Sequence, residues 1–352
     1  MAQMMITGLL CGGLLGFVMQ RGRFCITGAF RDLYVTKDNR MFIALLIAIA
    51  IQSIGIFSLT AFHVIQVPEG SFMWLATITG GYLFGIGIVL AGGCATGTWY
   101  RAGEGLIGSW IALFAYMLSS AAMKGGALKP ATNAVQSYTA GNEKTIYGSL
   151  GISPWLLVAL LILATGYFVY KEWQKPKIPI PSMKPRKTGL SHLLFEKRWH
   201  PFFTAALVGL IAILAWPLSS ATGRMYGLGI TTPSANLMQY VVSGDLGFIN
   251  WGVFLVLGIF AGSFIAARAS GEFRFRAPDV KTALKSFSGG IIMGIGASLA
   301  GGCSIGNGLV ETAFFGWQGW VSLPCMILGT WTAAYFTIIR PSQRSRKPHA
   351  AA

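Results

Sequence analysis

Nine apolar runs dominate the chain, near 4–20, 41–66, 72–92, 106–123, 153–171, 200–217, 248–267, 286–301 and 318–339. A helix of about 20 mostly apolar residues crosses a bilayer. Backbone polar groups in lipid must be satisfied inside the element that carries them, which for runs of this length means helix. The pattern predicts an all-α integral membrane protein of about nine transmembrane helices, with short broken or re-entrant helices between them. Composition agrees: of 352 residues, 11 % are charged and 54 % hydrophobic. A soluble domain carries about 25 % charged residues and a disordered chain is polar throughout, so both classes are excluded. The run at 286–301 is short and rich in glycine, and is not expected to cross as one regular helix. The first run has no basic n-region and no small-residue cleavage site, so no cleavable signal is read.

The formal net charge of +16 would suggest nucleic acid on a soluble protein. Here it is topological. No basic stripe alternates with aromatic residues, and membrane lipid rather than nucleic acid is the expected surrounding. No Lys or Arg precedes the first run. The successive connections hold 5, 0, 1, 3, 8, 1, 5 and 0, with Lys171 counted in the loop it borders, and the tail holds 4. Alternate segments therefore sum to 23 and 4. By the positive-inside rule the N-terminus is outside and the C-terminus cytoplasmic.

The chain also repeats itself. Residues 80–97 read GGYLFGIGIVLAGGCATG and residues 289–306 read GGIIMGIGASLAGGCSIG, identical at 11 of 18 positions with an offset of 209. The copies lie on the third and eighth runs, which cross in opposite directions. This predicts two inverted repeats in a 4+1+4 arrangement. Residues 1–123 form the first membrane repeat. Residues 124–199 hold a connecting span and a basic cytoplasmic linker with Pro176, Pro179, Pro181 and Pro185. Residues 200–340 form the second, inverted repeat, and 341–352 a basic cytoplasmic tail. A fainter echo sets Cys25-Ile26-Thr27 beside Gly229-Ile230-Thr231. Inverted repeats built on glycine-interrupted helices point to a transport site near the bilayer midplane.

Each copy contains a Gly-Gly-Cys block: Gly92-Gly93-Cys94 and Gly301-Gly302-Cys303. Consecutive glycines weaken a helix by about 1 kcal/mol each relative to alanine. A break frees N–H groups, tolerated at membrane depth only when buried in protein or lining a cavity, and a helix that restarts there presents its positive end to an anion. Close helix packing would explain the glycines, but not a cysteine at the same place in both copies. Cys25, just past the first run in Arg23-Phe24-Cys25-Ile26-Thr27, is the third candidate. A neutral thiol is a weak donor and a soft, polarizable contact. Cys11 and Cys325 sit in apolar runs without a glycine break and read as packing. Arg101 and Glu104 follow the first block and are possible site residues, and Glu311 follows the second. No Cys-x-x-Cys is present, and the scattered His63, His192, His200 and His349 suggest no metal site. No cofactor and no catalytic residue is expected.

The segments VMQRGRFCITGAFRD at 18–32, AGGCATGTWYRAGEG at 91–105, HLLFEKRWHPF at 192–202 and AGGCSIGNGL at 300–309 resemble the YeeE/YedE family of bacterial membrane proteins. The likeness runs almost end to end and is greatest in the branch associated with thiosulfate uptake. It implies a multi-pass protein of the bacterial inner membrane, a transporter rather than an enzyme, pinched near its middle from both faces. It implies thiosulfate or a related sulfur anion as substrate, and a small cytoplasmic sulfur-carrier protein as partner. The family's motif cysteines fall on Cys25, Cys94 and Cys303. The alternatives are transport of selenium or other sulfur species, a membrane thiol redox protein, and a soft-metal transporter.

Overall fold

The computed structural model describes residues 1–68, 70–141, 143–175 and 189–346. The four linker prolines and residues 347–352 of the tail lie outside the described residues. Helices α1 (Ala2–Gly22), α2 (Ile26–Val35) and α3 (Arg40–Ala61) lead to α4 (Trp74–Leu90), α5 (Ala95–Gly103), α6 (Ile107–Lys124) and α7 (Lys129–Gln136). Then come α8 (Ile146–Leu150), α9 (Pro154–Trp173), α10 (Gly189–Phe195), α11 (Pro201–Ser220), α12 (Thr231–Ser243), α13 (Trp251–Ala269) and α14 (Val280–Leu299). A π-helical segment, Gly306–Glu311, precedes α15 (Trp317–Ala334), and another, Tyr335–Ile339, precedes α16 (Arg340–Arg346). No β-strand occurs among the described residues.

Each of the nine apolar runs falls on one long helix: α1, α3, α4, α6, α9, α11, α13, α14 and α15. Among the described residues, seven helical segments are long and apolar enough to cross a membrane, or eight if the bent pair α6 and α7 is one span. The difference from nine lies in α14. Its first turns carry Lys281 and Lys285 and its body interleaves glycine and serine with isoleucine and methionine, so it falls short on apolarity although it runs 20 residues. The irregularity expected at 286–301 is not within α14, which is continuous, but immediately after it.

Local chemistry sets the helix ends. Pro154 and Pro201 open α9 and α11, where the missing N–H costs nothing and the fixed φ suits the first turn. Asp279 caps α14 by accepting from the Thr282 N–H at 3.3 Å. Arg23 closes α1 in the left-handed region at φ 50°.

The centre of the molecule is α4 against α14. α4 also packs on α15 and α14 on α6, while α1 lies along α13 and α3 along α11. α9 buries only Val158, Leu161 and Thr165 and stands at the edge. The central contact is backbone on backbone at two places. A Cβ at Gly80 would collide with the Ala300 amide nitrogen, and one at Gly289 with the Ala91 amide nitrogen. Small residues permit this approach between helices in lipid. The result carries the ends of α4 and α14 past each other into the core.

Candidate functional site

α4 and α14 stop for the same backbone reason. Gly92 and Gly301 adopt φ 73° and 74°, the left-handed region where a side chain is strained. The chain then turns through Gly93 and Gly302 to Cys94 and Cys303, both fully buried.

After the first break the helix restarts as α5, with Cys94 as its N-cap. The extended backbone of Cys94 lets its Sγ accept from the Gly97 N–H at 3.4 Å. Cys25 caps α2 in the same way, accepting from the Gly28 N–H at 3.4 Å. Two of the three predicted thiols thus sit where an anion would sit, at helix N-termini. The third follows the other break, with the Cys303 carbonyl accepting from the Asn307 N–H at 2.8 Å. Cys25 is tied to the first break, which Cys94 follows, through the Arg101 guanidinium. All five cysteines are free thiols. Cys11 is buried in the hydrophobic core, and Cys325 lies on α15.

Arg101 and Glu104 part company. The Arg101 Nη1 donates to the Gly92 carbonyl, and its Nη2 donates to the Cys25 sulfur at 3.5 Å. The guanidinium therefore links the first break to the third thiol. The buried Glu104 carboxylate accepts instead from Arg23 at 2.8 Å. It belongs to a network in which Glu272 accepts from Gln20 and Arg23, each at 2.7 Å, with Arg21 at 3.5 Å. Gly93 sits against the Arg101 guanidinium and Gly302 against the Asn307 carboxamide.

The second break is held by groups that sequence reasoning missed. The Ala300 carbonyl accepts from Asn307 Nδ2 and Gln318 Nε2, both at 2.8 Å. The two carboxamides also pair at 3.1 Å. A position-by-position comparison of the repeat carries the signal, because Asn307 replaces Thr98 of the first copy.

Two cavities reach the breaks. One, of about 340 Å³, has Cys303, Gly301 and Gly302 in its wall, with Arg224, Lys144, Tyr226 and Glu311. Arg224 is anchored on the Gly227 and Tyr226 carbonyls at 2.7 and 3.2 Å, and no carboxylate pairs with it among the described residues. Glu311 is held by Lys144 at 3.1 Å and accepts from the Tyr226 hydroxyl at 3.2 Å. The other cavity, of about 280 Å³, reaches Gly92 and is lined by Thr27, Arg31 and Lys285 among others. The buried Cys94 and Cys303 each follow a glycine break, and the two breaks reach different cavities, each carrying two cationic side chains. Such a site can attract an anion and offer it soft contacts.

A family profile for sulphur transport matches residues 21–332. The chain is 60 % identical to the thiosulfate transporter TsuA of Escherichia coli (strain K12) over 352 residues, the whole of both proteins. It is 34 % identical to the thiosulfate transporter TsuA of Spirochaeta thermophila over 350 residues, covering 96 % of this chain and all of that protein. The probable transporter YedE of Escherichia coli (strain K12) is 43 % identical over 104 residues, 29 % of this chain and 25 % of that protein.

Proposed function

The chain belongs to the sulphur-transport family, and on that premise we propose that it imports thiosulfate across a bacterial inner membrane. The reading includes nine crossings in two inverted repeats, with the N-terminus outside and the C-terminus inside. The exchange of contacts supports the repeat: α4 meets α15 as α14 meets α6, and Gly80 meets Ala300 as Gly289 meets Ala91. The charge count makes the Cys303 cavity the outer mouth and the Gly92 cavity the inner one.

The observation that carries the proposal is that Cys94 and Cys303 each follow a glycine break reaching a cation-bearing cavity, with Cys25 tied to the first break by Arg101. Arg224 and Lys144 draw the dianion into the outer mouth. Its terminal sulfur meets the Cys303 thiol, then Cys94, while backbone N–H groups at the breaks replace hydration. Cys25 receives it last. There Arg101 supplies the charge that Arg224 supplied outside, and the ion leaves past Arg31 and Lys285 toward a cytoplasmic sulfur carrier. The thiols act as weak S–H donors throughout and no covalent bond forms. Several weak contacts in series let an ion both enter and leave.

The test is labelled thiosulfate uptake in cells lacking their own sulfate and thiosulfate importers. Cys25→Ala, Cys94→Ala and Cys303→Ala should each abolish uptake, and Cys325→Ala should retain it. Uptake persisting in all three would remove the thiols from the path. No uptake by a well-expressed wild type would end the thiosulfate reading and turn attention to selenium anions.

A further inference from the structure

The Cys303 cavity has a neighbour. A cleft of about 550 Å³ shares Thr232 with it and is walled by α6, α7, α12 and the end of α14. Lys124 and Lys129 face this cleft with the carboxamides of Gln136 and Asn236, and no carboxylate lines it among the described residues. Neither ammonium group has an ion-pair or hydrogen-bond partner among the described residues. Lys124, the last residue of α6, is half-buried. Gln136 donates to the Ser298 and Leu299 carbonyls, both at 3.1 Å, tying the wall of the cleft to the last turn before the second break. Ser298 is 1 % exposed, and its hydroxyl has no hydrogen-bond partner among the described residues.

The internal repeat sharpens the point. The residues 209 positions from Ser298 and Lys129 are Val89 and Ile338, and both line the inner cavity. The outer side thus carries a hydroxyl and an ammonium group where the inner side carries aliphatic groups. Unpaired cations in an acid-free recess give it a positive potential with no internal counter-ion. Each water occupies roughly 30 Å³ of liquid, so the cleft has room for a small anion with much of its hydration shell.

We propose that this cleft is a second anion site. It takes a divalent tetrahedral oxyanion, sulfate as well as thiosulfate, and holds it hydrated at the outer face. The ion then passes Thr232 to the tighter Cys303 cavity, where discrimination by the thiol begins. The role in uptake rests on the thiosulfate reading above, whereas the binding itself does not. An anion waiting in the cleft repels one at Cys303 and speeds its departure inward, as between adjacent sites in a channel.

The experiment is calorimetric titration of the full-length protein, in lipid-free detergent, with sodium sulfate and sodium thiosulfate. Wild type should bind sulfate, and Lys124→Gln/Lys129→Gln should bind it at least about tenfold more weakly, the loss expected for charge-assisted contacts. Thiosulfate stoichiometry should fall from two to one per chain in that variant, and Lys124→Arg/Lys129→Arg should restore it. Cys303→Ala should leave sulfate binding intact, so failure of the cleft is distinguished from failure of the transport reading. Unchanged sulfate affinity in the Gln variant, or no sulfate binding by wild type, would overturn the proposal. Displacement of sulfate by phosphatidylglycerol micelles, with the same dependence on the two lysines, would assign the cleft to a lipid headgroup and overturn it equally.

Discussion

The two helix breaks pose one backbone problem and receive two answers. Each leaves a carbonyl exposed beside a left-handed glycine. At the first, Arg101 covers the Gly92 carbonyl and reaches on to Cys25. At the second, Asn307 and Gln318 cover the Ala300 carbonyl, and the residue 209 positions after Arg101 is Val310. One break is closed by a charge, the other by neutral amides. Both cavities carry two cationic side chains; at the first break a further one, Arg101 of α5, serves as the clamp and also reaches Cys25. Repeated backbone geometry therefore need not mean repeated electrostatics.

The comparison can be broken most forcefully at the neutral break. Asn307→Leu removes a buried carboxamide that bonds Ala300, Gln318 and Ser322. It should cost about 3 kcal/mol, because Gln318 and Ser322 lose a buried partner, and thermal unfolding in detergent reads this. The glycines come next. Gly301→Ala must leave the left-handed region and also displace Gln318, while at Gly92 a Cβ meets nothing within 4 Å. Gly92→Ala should therefore cost only the strain of about 1–2 kcal/mol, and Gly301→Ala distinctly more. Equal melting points would mean that the amide clamp adds nothing. Arg101→Gln keeps a donor for Gly92 but removes the charge from Cys25. Stability should hold while uptake falls about tenfold, equivalent to about 1.4 kcal/mol, and a collapse in stability instead would make Arg101 purely a clamp. The smallest effect belongs to Asp279→Ala. The hydroxyl and N–H of Thr282 hold the Asp279 carboxyl below the usual carboxylate range. Its contribution is complete above the unfolded pKa and is lost as pH falls through the folded value. The gap in melting temperature between wild type and variant should thus be slight at neutral pH and close on acidification.

Much of this was legible in the sequence because lipid leaves few choices. The nine runs located the nine long helices, and Gly-Gly-Cys located both breaks, since only a left-handed residue stops α4 and α14 there. Spacing could not show that Cys25 would face Arg101, 76 residues away, because that contact depends on how α2 and α5 are folded back. Arg224 and Lys144 were invisible for another reason. As loop cations they were absorbed into the topology count, and only the fold reveals that they stand in a cavity wall. Glu104, singled out by its closeness to Cys94, proved to belong to the ion-pair network of Arg23. Sequence proximity is a poor guide where a short helix reverses direction. The small hydropathy of α14 has a similar origin: its glycines serve contact with α4 rather than with lipid.

The seam between α4 and α14 bears on speed. Where Gly80 and Gly289 meet the opposite main chain there is no side chain to yield, so the two helices form a stiff spine with a break at each end. Sliding one along the other would drive backbone into backbone, and a rocking cycle on the microsecond-to-millisecond scale would have to spare this seam. The cationic tips beside the thiols, Arg101, Lys144 and Arg224, are each held by hydrogen bonds or an ion pair, so an ion can exchange those contacts for its own without moving the scaffold. Throughput would then be set by how long each ion lingers at its contacts, and not by the beat of the scaffold around it.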